Sequence, residues 1–243
     1  RRVLFRSKVI ENSVQTLADN MNEFNGMIGE RQVGCPLVVH RRCIEPMFSI
    51  SNMISYDNRM FNKTNKKEDY LKQEQPFLIK KSGWINVEGT ENGSKDHFVK
   101  NQAERVCQLL ESALHIYTDL FDTDDKIFII TPFRTVAESM RKFVVGYFSA
   151  KGNDKEVLKK WTKKCVGTVH TFQGKDANEV IFVLGCSDKS VGAMNWVVKK
   201  ANILNVACTR AKYRIAFIGN LNDWKNRRYF REFIPKFIDT IDV

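Results

Sequence analysis

The sequence lacks the features that mark several large classes of protein. No apolar run approaches the roughly 18 residues that a membrane-spanning helix needs, and the N-terminus has no signal-peptide apolar stretch. The six cysteines include no C-x-x-C pair, and only four histidines are present. These absences argue against a membrane protein, a disulfide framework and a zinc site. We therefore expect a cytoplasmic protein with reduced, buried thiols and no metal site of its own.

A phosphate-binding loop of the G-x-x-x-x-G-K-[ST] type is also missing. The nearest match is GTENGSKD at 89–96, where the glycine spacing is wrong and an aspartate follows the lysine. No predicted strand ends in the paired acids that hold Mg²⁺ in such enzymes. The chain alone therefore cannot cradle the phosphates of ATP or hold the metal ion.

The chain has instead a strong excess of basic residues. Its net charge is +11 over 243 residues, and its pI is about 9.4. A basic surface favours a polyanionic partner, because each Lys or Arg that neutralises a phosphate releases counterions. The alternative is that the charge serves solubility alone. The 43% share of hydrophobic residues is ordinary for a globular protein and is sufficient for an α/β core.

Apolar periodicity predicts strands that alternate with helices. The most regular pattern extends from Val99 to Tyr117, where apolar residues recur every three or four positions, as in an amphipathic helix. Basic, polar residues at 151–164 indicate an exposed segment. Strands alternating with helices are typical of an α/β fold with a mostly parallel sheet. Further helices are predicted at 47–56, 136–147, 203–211 and 228–238, and strands at 35–39, 127–130, 166–169, 180–184 and 215–218.

Four ordered blocks of polar and glycine- or arginine-bearing residues stand beside these strands. They are PLVVHRRC at 36–43, continued by EPMFSISN at 45–52 and by Tyr56 and Asp57; IITPFR at 129–134; TVHTFQGKD at 168–176; and NVACTRAK at 205–212. In this order they resemble the second RecA-like domain of superfamily 1 helicases. The similarity is greatest to bacterial members of the AAA-domain group related to the nonsense-mediated-decay helicase. The last two blocks match the motifs usually called V and VI.

The resemblance implies a three-layer RecA-like domain of the P-loop NTPase type that lacks its own P-loop. Residues 31–243 would form this domain, and residues 1–30 would be an extension or linker from a first domain. Residues 1–7 look like an extraneous leader. ATP would lie between this domain and the upstream RecA-like domain of the same parent chain, which would supply the Mg²⁺ ligands. The polymer partner would be single-stranded DNA or RNA.

The resemblance also implies roles for six residues at the ATP site. Arg210 and Arg42 would be the arginines that reach the ATP held by the other domain, and such an arginine accelerates hydrolysis by about 10³–10⁵. Arg's planar fork suits this role because it binds phosphate bidentately and stays charged. The alternative for each is a surface arginine in an ion pair. The remaining ATP-binding candidates are Gln173, Gly174, Asp176 and Arg41, and the alternative for 173–176 is an ordinary turn.

Small donors near strand ends are candidates for nucleic-acid contact. The donors are Thr131, Thr168, His170 and Thr171, because hydroxyl and backbone N–H groups there suit phosphate contacts. Pro132, which has no N–H, is a further candidate contact directly after Thr131. The alternatives are a helix-capping role for Thr131 and a buried core position for His170. Stacking on bases would need an aromatic residue, for which Phe133 and Phe172 are available, although core packing is favoured for both.

Two other functions remain open from the sequence. The main rival is a non-catalytic nucleic-acid-binding module that keeps the fold and the basic surface. A more distant rival is an unrelated α/β enzyme such as a nuclease or a methyltransferase. A nuclease should show clustered acids at strand ends, and a methyltransferase should show a glycine-rich first turn; neither is apparent.

Overall fold

The computed structural model describes residues 14–28, 31–34, 38–64, 76–91, 93 and 96–241. In chain order the strands are β1 (Gly26–Ile28), β2 (Arg31–Val33), β3 (Val39–His40), β4 (Phe61–Asn62), β5 (Gly83–Asn86), β6 (Ile127–Thr131), β7 (Val166–Thr168), β8 (Ala177–Val183), β9 (Ala211–Gly219) and β10 (Asp239–Thr240). The helices of the described residues are α1 (Val14–Met21), α2 (Met47–Ser55), α3 (Lys100–Leu114), α4 (Arg134–Ser149), α5 (Lys155–Cys165), α6 (Val191–Val197), α7 (Asn202–Arg210), α8 (Leu221–Trp224) and α9 (Phe230–Phe237).

A six-stranded sheet forms the centre of the molecule, in the order β10-β5-β9-β8-β6-β7. Every neighbouring pair in it is parallel. All five residues of β6 are buried, and so is β8 apart from Asn178. Strands that are covered on both faces need such continuous apolar runs, which is why the sequence pattern identified them. The predicted α/β fold with a mostly parallel sheet is confirmed.

Helices flank this sheet and complete the core. Helix α2 packs against α7, and α4 packs against α3 and α5. The segment predicted to be exposed at 151–164 is mostly exposed, but it also contains most of α5, a helix that the sequence did not predict and that buries Leu158 and Trp161. Asp154 begins this helix by accepting hydrogen bonds from two backbone N–H groups of its first turn, at 2.8 and 2.9 Å.

The N-terminal part of the described chain is built from short pairs of strands. Strands β1 and β2 form an antiparallel hairpin, which pairs residues on both sides of the expected boundary at residue 31. That boundary stays a prediction. The predicted strand at 35–39 is represented by β3, which pairs in parallel with β4, while residues 35–37 lie outside the described residues. Within the described ranges, no helix has both the length and the apolarity to cross a membrane.

The parallel sheet separates the candidate residues into two groups. The first residues of β8 and β9, Ala177 and Ala211, are paired with each other at the amino edge of the sheet. The last residues of β6 and β7, Thr131 and Thr168, are paired at the carboxyl edge. The 3₁₀ turn Val169–Phe172 follows β7 and leads the chain back toward the amino edge. One short segment therefore connects the two edges.

Candidate functional site

A cleft of about 920 Å³ opens at the amino ends of β8 and β9. Its walls come from the turn after β3, the segment between β7 and β8, and helix α7. We call it the arginine cleft, because three arginines from these separate segments line it. The predicted site residues that it brings together are Arg41, Arg42, His170, Gln173, Gly174, Asp176 and Arg210.

Arg210 is the last residue of α7, and its side chain is 4% exposed. Its Nη1 donates to the carbonyl oxygens of Phe172 at 3.1 Å and Lys175 at 2.9 Å. Its Nε is buried and makes no hydrogen bond to the described part of the chain. The pKa of the guanidinium is lowered, chiefly by burial and next by the charge of Arg42. Arg210 is thus neither a surface arginine nor the partner of a single acid.

Arg41 and Arg42 are exposed on a tight turn directly after β3. His40 closes this turn, because its Nε2 accepts the backbone N–H of Cys43 at 2.9 Å. This bond places the proton of a neutral imidazole on Nδ1. The backbone N–H of Ile44 donates to the carbonyl of Lys212 at 3.3 Å, which fixes the turn beside the start of β9. Two arginines are in this way held at the rim of the cleft.

The segment between β7 and β8 forms the second wall. Gly174 has a φ of +84°, a conformation that residues with a Cβ adopt only with strain. Asp176 Oδ1 lies 3.0 Å from Lys212 Nζ, so the single carboxylate among the lining residues is already paired with a cation. The wall therefore presents mainly backbone groups and positive charge.

Sequence reasoning missed a further wall, which the turn after α2 provides. Tyr56 and Met60 line the cleft, and Asn52 holds their turn through two hydrogen bonds with the backbone of Met60, at 3.0 and 3.3 Å. Ser51 Oγ donates to Asn205 Oδ1 at 2.5 Å and so connects α2 to α7. Tyr56 comes four residues after the EPMFSISN block, and an aromatic residue there was the available signal.

The predicted nucleic-acid contacts do not all lie together. His170 is exposed and lines the arginine cleft, whereas Thr131, Pro132, Thr168 and Thr171 are not among its lining residues. Thr131 is 1% exposed, and its Oγ1 accepts the backbone N–H of Phe133 at 3.5 Å. Thr171 Oγ1 accepts the backbone N–H of Thr168 at 3.2 Å and thereby caps the 3₁₀ turn.

Both phenylalanines considered for base stacking are buried. Phe172 is 0% exposed, and its ring centroid lies 4.3 Å from that of Phe128. Phe133 is 9% exposed, and its ring centroid lies 4.7 Å from that of His97 and 5.8 Å from that of Trp196. Core packing therefore accounts for Phe172, while Phe133 supports a neighbouring aromatic residue.

One group of side chains in the described residues has the composition of a metal site. Possible ligand atoms of Glu91, His97 and Cys186 lie within 4.8 Å of one another. Both carboxylate oxygens of Glu91 already accept hydrogen bonds at 2.8 Å, from the backbone N–H of Ser187 and the hydroxyl of Ser190. Burial, together with Glu91, raises the pKa of the Cys186 thiol to about 12. These hydrogen bonds show that the cluster stabilises the turn after β8. The expectation of no metal site stays a prediction.

The arginine cleft can stabilise an anion but offers little to a cation. Mg²⁺ binds through carboxylates and substrate phosphates, and Asp176 is the only acid among the lining residues. In contrast, Arg42 and the unpartnered Nε of Arg210 provide charged donors of the kind that bind phosphate oxygens. The geometry suits half of a phosphate site whose metal ligands come from elsewhere.

Comparison with known proteins gives a family for this fold and site. A family model described as an AAA domain matches residues 20–222. A protein of Methanocaldococcus jannaschii named as an uncharacterized ATP-dependent helicase is 26% identical over 209 residues. The alignment covers 82% of this chain and 28% of that relative, so the chain spans less than a third of the relative's length. Because the family model matches well over half of the residues, the chain belongs to the AAA domain family.

Proposed function

We propose that this chain is the second, C-terminal RecA-like motor domain of an ATP-dependent helicase of superfamily 1. Residues 31–243 would form that domain, and residues 1–30 would lead to it from a first domain in the same parent chain. The similarity to a relative named as an ATP-dependent helicase supports this proposal. The four ordered motif blocks favour the group related to the nonsense-mediated-decay helicase. We also propose a cytoplasmic location.

The arrangement of Arg42 and Arg210 carries the proposal. Distant segments bring both side chains to one cleft, and Arg210 keeps a buried Nε that no described residue satisfies. Positive charge beside the γ-phosphate stabilises the transition state of phosphoryl transfer by about 4–7 kcal/mol, which corresponds to 10³–10⁵ in rate. Both residues would contribute this charge to ATP held mainly by the upstream domain.

Other residues of the cleft would position the nucleotide. Gln173 and Gly174 offer a backbone that can approach it closely, Asp176 holds Lys212 in place, and Arg41 reaches the rim. Mg²⁺ supplies charge neutralisation between the β- and γ-phosphates when it is bound, and its protein ligands would belong to the upstream domain. Among its described lining residues this cleft has a single carboxylate, Asp176, which is already paired with Lys212, in agreement with metal ligands that come from the upstream domain.

Single-stranded DNA or RNA would cross the carboxyl edge of the sheet. Thr168 and Thr171 lie at the end of β7 and in the turn after it, where backbone N–H and hydroxyl groups can contact phosphates without reading sequence. Pro132, directly after β6, would contact the strand beside them without donating a hydrogen bond. Thr131 would shape the turn from inside through its bond to Phe133. His170, in the wall of the arginine cleft, would lie between the two sites.

Arginine substitutions in the parent protein test the shared ATP site. Arg42→Ala should lower ATP turnover at least a hundredfold while ATP affinity changes little, because the exposed side chain carries no part of the core. Arg210→Lys keeps a cation but loses the fork and should lower turnover by a similar factor. Arg231→Ala, at an exposed arginine on α9 outside the cleft and the motif blocks, is the control and should leave turnover unchanged. Near-normal turnover in both cleft variants would contradict the proposal.

The isolated chain separates the motor from the alternative of a non-catalytic binding module. Purified residues 1–243 should show no ATP hydrolysis above the buffer rate, and measurable turnover would contradict a split site. In the parent protein, hydrolysis should be stimulated by single-stranded nucleic acid. Binding of nucleic acid without any such stimulation would favour the non-catalytic module.

A further inference from the structure

Trp196 on helix α6 is a large exposed aromatic residue that contacts Phe133, two residues after the end of β6. Its side chain is 51% exposed, whereas Trp84, Trp161 and Trp224 are each at most 3% exposed. Two neighbours on α6 anchor it, because Met194 and Val197 are fully buried. An indole that stays half in water on a well-anchored helix is available to a ligand.

The indole has an aromatic support beneath it. The ring of Phe133 lies 5.8 Å from that of Trp196 at an interplanar angle of 35°, and the ring of His97 lies 4.7 Å from that of Phe133. Phe133 directly follows Thr131 and Pro132 at the carboxyl end of β6. The three rings therefore continue from the edge where the proposed nucleic-acid contacts lie to the surface.

Basic side chains surround the outer part of the indole. Trp196 lines a shallow depression of about 540 Å³ together with Lys199 and Arg228, both exposed, and no acidic residue belongs to the lining. Arg227 Nη1 donates to Asn195 Oδ1 at 2.7 Å and holds this end of α6 against the segment before α9. An aromatic face flanked by cations matches a nucleotide, whose base stacks while its phosphate is neutralised.

We propose that Trp196 is a stacking platform for one base of the single strand, with Lys199 and Arg228 contacting the adjacent phosphates. This inference rests on the proposed function, which supplies the single-stranded nucleic acid. It adds the residue against which one base of that strand stacks. Stacking on one aromatic side chain is independent of base identity, because every base has a π-face. The platform therefore lets a motor grip any sequence.

The intrinsic fluorescence of the chain tests this directly, because Trp196 is its one exposed tryptophan. The probes are a 20-nucleotide oligothymidylate and an abasic strand with the same number of phosphates, both at low salt. We expect the oligothymidylate to quench the fluorescence and to bind the wild-type chain more tightly than the abasic strand. For the variants, which lack the reporting indole, affinity is measured by the fluorescence anisotropy of end-labelled strands. Trp196→Ala should weaken oligothymidylate binding by about 5- to 100-fold and leave abasic binding unchanged. Trp196→Phe should retain most of the affinity.

Two sets of controls separate stacking from charge and from general damage. Phe24→Ala removes another exposed aromatic side chain, 79% exposed, and should leave both affinities within about twofold. Lys199→Ala and Arg228→Ala should weaken both strands equally, and each should reduce the slope of log K against log salt by about 0.7.

The outcomes distinguish this inference from the proposed function. If the wild type binds oligothymidylate and Trp196→Ala binds it equally well, the platform is refuted while the motor proposal stands. Equal losses on the abasic strand in Trp196→Ala would also refute stacking. If the wild type binds neither strand, the nucleic-acid contact of the proposed function fails, and the platform fails with it.

Discussion

The hydrogen bonds of Arg210 allow the cost of deleting its guanidinium to be worked out. Arg210→Ala removes the donor to the carbonyl oxygens of Phe172 and Lys175. A hydrogen bond from a charged group contributes about 1.5–3 kcal/mol to stability. Burial beside Arg42, which lowers the pKa of the guanidinium, offsets part of that gain. We therefore expect the free energy of unfolding to fall by about 2–3 kcal/mol.

Urea denaturation of the 243-residue chain measures this change. With an m-value of about 2 kcal/mol/M, the loss corresponds to a midpoint about 1–1.5 M lower at unchanged m. The matched control is Arg42→Ala, in which an exposed arginine of the same cleft is removed. That variant should stay within about 0.5 kcal/mol of the wild type.

A small effect at Arg210 would refute the reasoning. If the midpoint of Arg210→Ala lay within about 0.2 M of the wild type, the guanidinium would not be holding the segment from Phe172 to Lys175. A large loss in Arg42→Ala would likewise contradict the distinction between the two arginines. The expected difference has a practical consequence, because a loss of ATP turnover in Arg210→Ala mixes chemistry with folding, whereas a loss in Arg42→Ala reports on chemistry.

Two further predictions follow from backbone conformation and thiol burial. Gly174→Ala should lower the free energy of unfolding by about 1–2 kcal/mol because of its positive φ alone, since no atom lies within 4 Å of the added Cβ. The control is Gly146→Ala in α4, which should be neutral or stabilising. Thermal melting compares the two variants, and equal melting temperatures would contradict this prediction. In a Cys35→Ser background, iodoacetamide should label the native chain slowly, and labelling should accelerate little from pH 7 to 9. The reason is that burial raises the pKa of the Cys107, Cys165 and Cys186 thiols to about 12. In urea the pKa of these thiols returns to about 8.5, and labelling should be fast. Rapid native labelling at pH 7 would show that these thiols are accessible.

The core of this fold was predictable because its strands are covered on both faces. Buried parallel strands consist of unbroken apolar runs in the sequence, and β6, β8 and β9 were predicted from such runs. Strand β5 was not, since it has four residues and lies between polar segments. Helix α5 was not predicted because its lysines dominate the composition, although most of its residues are exposed as expected. Its apolar residues Leu158, Trp161 and Cys165 nevertheless have the helical spacing of three and four.

The candidate site was predictable only where a residue's role is local. The motif blocks identified Arg42 and Arg210, but they gave no indication that Arg210 would be buried against backbone carbonyls. That contact joins residues about 35 positions apart and depends on the packing of α7 against the segment before β8. Trp196 was missed for a related reason. Whether an aromatic residue on a short helix is covered is decided by its neighbours, not by its own periodicity.

The position of Arg210 gives the proposed motor a short mechanical connection. Its bonds hold the two ends of the segment from Phe172 to Lys175, and that segment continues from the 3₁₀ turn that Thr168 and Thr171 cap at the other edge of the sheet. A phosphate drawing the guanidinium outward would have to lengthen at least one of these bonds, because Nη1 serves both carbonyls. The displacement would then reach the end of β7 within a few residues. In a motor of the proposed kind, the arginine that senses ATP would thus be attached to the backbone that touches the strand, and no additional moving element is needed to couple the two sites.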